Sequence, residues 1–430
     1  MSAHVGRPVL AALAALVALV VAAVLLSSGG DGTQDSAGGG RAPAAQRWAG
    51  TWSAAATAAE PGTLDGYAGM SIRNVVHTSI GGTSARIQLS NLYGTRPLPV
   101  SHASLARAHA PGDPAATPGT MRRLTFSGRP AVTVPAGGAV TSDPVRLTVP
   151  PAADLLVTTY SPSPSGPATY HPYARQNSYL ARGDRSEDTT GASYTEESPY
   201  WRYLTGVDVR GPRTDGAVVA IGDSITDGIT STPGANHRWT DFLAGRLRTE
   251  PGAPRYGVLN QGISGNRLLT DGSRWSPNNG PSVLSRLERD VLSRAGVKSA
   301  VVEIGLNDLF KSPRRLDPEQ LADGMREIVR RAQARGVRVI GSTLTPFGGH
   351  RGYRPELDAV REALNAKIRA GQVFGGYVDF DTALRDPHDP LRMRPAYDSG
   401  DHLHPSDEGY RAMADAVDLR QLKGQVPTAP

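Results

Sequence analysis

The chain contains no cysteine among its 430 residues, and this absence removes three kinds of chemistry together. It excludes disulfides, thiolate-bound metal ions and a cysteine nucleophile, so any catalysis must use oxygen or nitrogen groups. It does not decide the compartment, because an exported protein with a large core can be stable without disulfides.

The chain also lacks a long block of Lys and Arg with interleaved aromatic residues. Its 46 basic and 40 acidic residues give a net charge of +6, and they are scattered along the sequence. We therefore predict solvated charged faces and no nucleic-acid partner, with an anionic cell-wall or polysaccharide partner as the minor alternative. A charged fraction of 20% with 39% apolar residues is typical of a folded enzyme.

The N-terminus has the pattern of an export segment. Arg7 precedes an unbroken apolar run from Val9 to Leu26, and Ser27 and Ser28 follow it. No clear small-residue cleavage motif is present, so residues 1–28 are predicted to be either a signal peptide or an N-terminal membrane anchor. Both versions predict a secreted or extracellular membrane-anchored protein, because Arg7 stays on the cytoplasmic side.

Two folded regions are predicted after a flexible linker at residues 29–45, which is rich in Gly and Ala. Residues 46–211 read as a β-rich accessory domain, because short alternating runs are separated by Gly and Pro. An example is Ala85, Ile87 and Leu89, which alternate with polar residues. Residues 212–425 alternate apolar strands with amphipathic helical patterns, which indicates an α/β domain.

Polar groups follow three predicted strands of the α/β domain. Ser224 comes directly after the apolar run Ala217 to Ile221, Gly265 lies in a loop after a second strand, and Asn307 follows a third. Ligands of open α/β sheets bind at the carboxyl ends of the strands. Each residue also has an ordinary explanation, since Ser caps helices and Gly and Asn occupy turns.

Near the C-terminus, Asp401 and His404 are three residues apart. This spacing allows the carboxylate to bind one imidazole nitrogen while the other faces a serine, as a catalytic triad requires. A single pair of this kind is more often structural or part of a metal site. The conjunction of Ser224, Gly265, Asn307 and this pair in one domain favours a shared site at one sheet edge.

The residues around these positions resemble a known family. The sequence reads GDS at Ser224, ISGN at Gly265, GLND at Asn307 and DHLH at Asp401, in that order. These stretches resemble the four blocks of the SGNH, or GDSL, hydrolases, and Ala217 to Leu419 is similar to exported bacterial esterases with a β-rich N-terminal domain. The fourth residue of the GDSL motif is Ile225 here.

The resemblance implies a flavodoxin-like three-layer α/β/α domain preceded by a β-sandwich-like domain. It also implies roles: Ser224 as nucleophile, His404 as general base and acid, and Asp401 as the residue that orients His404. Ser224, Gly265 and Asn307 would form the oxyanion hole. We expect hydrolysis of a small-molecule or polysaccharide acyl ester, with no metal and no cofactor.

Three alternatives remain at this stage. The same acyl-enzyme could transfer its acyl group to an alcohol, which would make the protein an acyltransferase. The protein could instead be a catalytically weak polysaccharide-binding protein. His402 could replace His404 as the base, although its offset from Asp401 is less suitable. The absence of a long apolar lid leads us to expect short acyl chains.

Overall fold

The computed structural model describes residues 47–212, 214–311 and 317–424. The predicted export segment 1–28 and the linker 29–45 lie outside the described residues. Gln46–Pro430 clusters as one compact unit, so the predicted domain boundary near residue 211 stays a prediction. Within the described ranges no helix is long and apolar enough to cross a membrane.

The N-terminal half of this unit consists of β-strands in antiparallel sheets. Its strands are β1 (Trp48–Ser53), β2 (Ala58–Ala59), β3 (Met70–His77), β4 (Gly82–Ser90), β5 (Leu98–Val100), β6 (His102–Arg107), β7 (Arg122–Arg123), β8 (Val132–Val134), β9 (Ala139–Thr141), β10 (Val145–Val149), β11 (Asp154–Ser161), β12 (Thr169–His171), β13 (Ser178–Arg182), β14 (Glu196–Ser198), β15 (Trp201–Arg202) and β16 (Leu204–Arg210).

Two of these sheets form a sandwich. One has the order β1-β16-β4-β10, with β9 also paired to β4, and the other has the order β14-β13-β3-β11-β6-β7. Ile87 of the first sheet and Leu105 and Val157 of the second belong to one hydrophobic cluster. In β4 the alternation predicted from the sequence is confirmed, since Ala85, Ile87 and Leu89 are buried while the residues between them are partly exposed. The predicted β-rich region is therefore present.

The C-terminal half contains the strands and helices of an α/β fold. Its strands are β17 (Gly216–Gly222), β18 (Tyr256–Gly262), β19 (Val297–Glu303), β20 (Arg338–Ser342) and β21 (Tyr377–Val378). Its α-helices are α1 (Ser224–Asp227), α2 (Trp239–Thr249), α3 (Val283–Leu287), α4 (Leu306–Lys311), α5 (Pro318–Gln333), α6 (Pro355–Arg369), α7 (Phe380–Leu384) and α8 (Asp407–Asp415). A π-helical turn, Glu288–Leu292, continues α3.

The five strands form one parallel sheet in the order β18-β17-β19-β20-β21. This is the doubly wound order of flavodoxin-like folds, and it confirms the predicted fold class. The sheet and the apolar sides of the helices share one core. Helix α5 begins with a capping box formed by Asp317 and Gln320.

A buried guanidinium joins the ends of the two strands nearest Ser224. Arg286 of α3 has no exposed side-chain surface, and it donates hydrogen bonds to Gly222 O at 3.0 Å and Gln261 O at 2.7 Å. It also donates to Asn266 Oδ1 at 3.1 Å. These bonds fix the carboxyl ends of β17 and β18 relative to each other.

The charge of Arg286 is balanced by Asp290, which is 3.1 Å away and equally buried. Burial lowers the pKa of Arg286, and the neighbouring Asp290 carboxylate opposes that shift. Burial alone would raise the pKa of Asp290, but Arg289, Arg286 and Arg294 hold it well below its usual range. The network is therefore charged in the folded protein.

Substitution of Arg286 should destabilise the fold strongly. Arg286→Met removes a partner of the buried Asp290 and the hydrogen bonds from Arg286 to three buried oxygen atoms, so the free energy of unfolding should fall by about 3–5 kcal/mol. Guanidinium chloride denaturation of the purified protein measures this change. Arg330→Ala is the control, because Arg330 is 72% exposed and only pairs with Glu327 on the surface. Equal stability of the Arg286→Met protein and the parent would contradict the assignment.

Candidate active site

Ser224 lies at the carboxyl end of the central strand β17, as the sequence predicts for a residue at a ligand-binding sheet edge. It is the first residue of the short helix α1, and Asp223 caps that helix by accepting a hydrogen bond from the N–H of Ile225 at 3.0 Å. Only 7% of Ser224 is exposed. The predicted alternative, in which Ser224 is the helix cap, is wrong because Asp223 has that role.

The structure brings Ser224, His404 and Asp401 into one continuous chain of hydrogen bonds. His404 Nε2 lies 2.8 Å from Ser224 Oγ, and His404 Nδ1 lies 2.6 Å from Asp401 Oδ2. Because a carboxylate can only accept, Nδ1 carries the proton and Nε2 is free to accept the proton of the Ser224 hydroxyl. This is the tautomer that a base must have to activate a serine.

The carboxylate of Asp401 is held in its charged form. Its Oδ1 accepts hydrogen bonds from the backbone N–H groups of Leu403 and His404, at 2.9 and 2.8 Å. Partial burial alone would raise the pKa of Asp401, but these bonds and the imidazole of His404 hold it well below its usual range. Asp401 can therefore fix the orientation of His404 over a wide range of pH.

The alternative base, His402, has a different environment. Its Nδ1 lies 2.5 Å from Asp398 Oδ2, so it has an orienting carboxylate of its own, which the sequence analysis missed. Its backbone is left-handed, with φ of 62°, and among the described residues its ring makes no hydrogen bond to Ser224. His404 is the histidine that contacts the serine.

Asn307 is tied to the residue that precedes Ser224. Its side-chain Nδ2 donates to Asp223 Oδ2 at 3.1 Å. An amide nitrogen carries two protons, so this bond fixes the amide group and leaves the second proton for another acceptor. Burial raises the pKa of Asp223 to about 6, against the effect of the N–H of Ile225, His404 and Asn307.

A second buried carboxyl group lies beside Asp223. Glu303, at the end of β19, accepts a hydrogen bond from Thr226 Oγ1 at 2.8 Å. Burial and the negative charge of Asp223 raise its pKa well above the usual range. A negative charge on one of these carboxyl groups therefore disfavours a negative charge on the other, and both groups lie close to the turn that carries Ser224.

Gly265 lies in a loop whose backbone only glycine fits. Its φ is +76°, and an added Cβ would lie 2.3 Å from Asn279 Oδ1 and 2.8 Å from Lys311 Nζ. A side chain would therefore be both strained and in collision. Among the described residues the N–H groups of Gly265 and Ser224 have no hydrogen-bond acceptor, which leaves both donors for a ligand.

The loop is connected to both of the other parts of the site. Ser264 N donates to Asp227 Oδ2 at 3.0 Å, and Asp227 lies on α1 with Ser224. Lys311, on the helix of Asn307, donates from Nζ to Gly265 O at 3.0 Å. The sequence analysis missed Asp227 and Lys311; the position of Asp227 one helical turn after Ser224 is the only sequence signal for either.

The comparisons with known proteins agree with the fold and with the sequence resemblance. Residues 220–412 match the GDSL-like Lipase/Acylhydrolase family. A comparison with curated proteins finds no match.

Among solved structures, the chain resembles an acetylxylan esterase from Geobacillus stearothermophilus, with 21% identity over 48% of this chain and 93% of that one and a TM-score of 0.36. It also resembles a GDSL-like lipase from Bacteroides thetaiotaomicron VPI-5482, with 20% identity, coverage of 47% and 85%, and a TM-score of 0.34.

The match over residues 220–412, together with the parallel sheet of the doubly wound order, identifies the C-terminal half. The chain is an enzyme, and its residues 220–412 match the GDSL-like lipase/acylhydrolase family.

Proposed function

We propose that the protein hydrolyses carboxylic esters of short acyl chains through an acyl-enzyme formed on Ser224. The observation that carries this proposal is the chain of hydrogen bonds from Ser224 through His404 to Asp401 at the carboxyl edge of the sheet. A serine hydroxyl is a weak nucleophile at neutral pH, and an adjacent oriented imidazole supplies the base that it needs.

The reaction proceeds in two halves. Ser224 Oγ attacks the ester carbonyl while His404 Nε2 takes its proton, and His404 then returns the proton to the departing alcohol. Water next attacks the acyl-enzyme while His404 accepts its proton, and His404 returns this proton to Ser224 Oγ as the bond from Oγ to the acyl carbon breaks and the carboxylic acid leaves. Asp401 keeps its negative charge throughout and stabilises the imidazolium that forms in each half.

The negative charge that develops on the carbonyl oxygen requires fixed donors. We assign this role to the N–H groups of Ser224 and Gly265 and to the second proton of Asn307 Nδ2. Each donor is held by other bonds before substrate binds, so little reorganisation is needed in the transition state. Asp223 serves as a positioning residue for Asn307.

The first test is hydrolysis of p-nitrophenyl esters by the purified protein. We expect acetate to be cleaved faster than long-chain analogues, and Ser224→Ala to lower kcat by at least about 10⁴-fold, because serine and histidine act as one unit. Circular dichroism establishes that the variant is folded. A folded Ser224→Ala protein with the parent's activity would refute the acyl-enzyme, and faster cleavage of long-chain esters would refute the proposed acyl length.

The two neighbouring histidines provide a matched pair of variants. His404→Asn should abolish turnover, with a loss comparable to that of Ser224→Ala, because within the described part of the chain no other group is hydrogen-bonded to Ser224 Oγ to accept its proton. His402→Asn should keep most of the activity, and Asn tolerates the left-handed backbone of residue 402. Initial rates with p-nitrophenyl acetate compare them. The opposite ranking would assign the base to His402.

We also propose that the protein acts outside the cytoplasm. The support is the sequence alone, Arg7 followed by the apolar run from Val9 to Leu26. Fractionation of cells that express the full chain distinguishes the two versions: recovery in the medium supports a cleaved signal, and recovery in the membrane fraction supports an anchor. Recovery only in the cytoplasm would overturn the proposal.

A further inference from the structure

A buried hydrogen bond connects the β-rich half of the chain to the helix that carries Ser224. His171, at the end of β12, has its Nε2 2.9 Å from Asp227 Oδ1. Only 5% of the His171 side chain and 3% of the Asp227 side chain are exposed. A carboxylate that is buried this deeply needs a partner, and His171 supplies it from a distant part of the sequence.

Both nitrogens of the His171 ring face acceptors. Nδ1 lies 3.0 Å from the carbonyl oxygen of Ala55, while Nε2 faces the Asp227 carboxylate. Thr57 Oγ1 also lies 3.4 Å from Nδ1, so both ring nitrogens have hydrogen-bond partners. The bond from Nε2 to the Asp227 carboxylate fixes the edge of the ring that faces α1.

The other oxygen of Asp227 reaches the loop of the proposed oxyanion hole. Asp227 Oδ2 accepts the hydrogen bond from Ser264 N at 3.0 Å, and Ser264 directly precedes Gly265. The backbone of Asp227 is fixed as well, because Arg238 Nε donates a hydrogen bond to the Asp227 carbonyl oxygen at 2.9 Å. A shift of the Asp227 carboxylate would therefore move the peptide that follows Ser264, and this peptide contains the N–H of Gly265.

The ring of His171 packs against the ring of Trp201, with 5.5 Å between the ring centroids. Trp201 is fixed in turn, because its Nε1 donates a hydrogen bond to Val75 O at 2.8 Å. Trp201 also packs edge-on against Trp52 at 4.9 Å. The imidazole position is thus determined by the β-rich half of the chain.

We propose that His171 is a positioning residue for the oxyanion hole, which acts through Asp227 on the loop Ile263–Asn266. The proposal rests on the proposed ester hydrolysis and extends it, because it makes the β-rich half a part of the catalytic apparatus. Donor placement governs the rate of such reactions, and a misplacement of about 1 Å costs on the order of 10²-fold. We expect the loss of activity to appear in kcat and not in KM, because an oxyanion donor acts mainly in the transition state.

Two replacements of His171 separate this role from simple packing. The amide nitrogen of Gln lies near the position of His Nε2, so His171→Gln keeps a donor for Asp227. The amide nitrogen of Asn lies near Nδ1, so His171→Asn keeps the bond to Ala55 O and loses the bond to Asp227. We expect His171→Asn to lower kcat by about 10- to 100-fold with little change in KM, and His171→Gln to restore most of it.

The control is another buried bond between the two halves that does not reach the loop. Ser79 Oγ accepts a hydrogen bond from Val258 N in β18 at 2.9 Å, and Ser79 is 7% exposed. Ser79→Ala should leave kcat within about twofold of the parent, because β18 lies between this bond and the oxyanion loop and the donors of the site keep their places. A general loosening of the contact between the halves would affect all three variants alike.

Amide hydrogen exchange supplies a readout that does not depend on catalysis. Peptides that cover Ile263–Asn266 should exchange about tenfold faster in His171→Asn than in the parent, because the Ser264 N–H loses its fixed acceptor. His171→Gln and Ser79→Ala should match the parent there. If His171→Asn does not fold, Asp227→Ala removes the acceptor of Ser264 directly and should produce the same increase.

The outcomes separate the two proposals. A parent that cleaves no ester, with faster loop exchange in His171→Asn, would refute the proposed function and leave the connection through Asp227 supported. Unchanged exchange in His171→Asn and Asp227→Ala would overturn the connection even in an active esterase. Equal losses of kcat in His171→Asn, His171→Gln and Ser79→Ala would overturn it as well, because the effect would then come from packing alone.

Discussion

The site depends on the buried guanidinium of Arg286. Its bonds to Gly222 O and Gln261 O fix the ends of two neighbouring strands, and its bond to Asn266 Oδ1 fixes the residue after Gly265. A planar group with donors in a rigid fork sets these distances together, which a flexible ammonium would not do. The spacing between the serine turn and the oxyanion loop is therefore decided by one side chain that lies outside the catalytic motifs.

The same network makes the two halves of the chain dependent on each other. Asp290, the counter-charge of Arg286, also pairs with Arg289 and Arg294. Arg294 in turn donates to Thr205 O of the β-rich half at 3.0 Å. The hydrogen bond between His171 and Asp227 adds a second buried connection. An accessory sheet that only shielded the enzyme would not need a buried carboxyl group at both connections, since burying such a group is costly unless its partners are well placed.

The sequence predicted the three residues of the hydrogen-bonded chain from Ser224 to Asp401 but not the residues that hold them. Ser224, Asp401 and His404 were found because each lies in a short pattern with its own local meaning, a strand end or a spacing of three residues. The parallel order of the sheet followed from the alternation of strands and helices. The contacts from Asn307 to Asp223 and from His171 to Asp227 join residues 84 and 56 positions apart, and no periodicity in one sequence encodes such pairs. Likewise His402 was judged by its offset from Asp401, although its partner is Asp398.

Several of the residues that the sequence analysis missed are buried carboxylates that fix the loops around Ser224 in the same way. The loops around Ser224 are rich in glycine, so apolar packing alone cannot define their backbone. Buried carboxylates do so instead by accepting backbone N–H groups: Asp223 binds that of Ile225, Asp227 that of Ser264, and Asp308 those of Leu268 and Leu269. Each such bond is strong because the acceptor is charged and the surroundings exclude water. Fixed dipoles are what a developing oxyanion requires, so the charges that hold the loops also explain why the proposed donors are in place before substrate arrives.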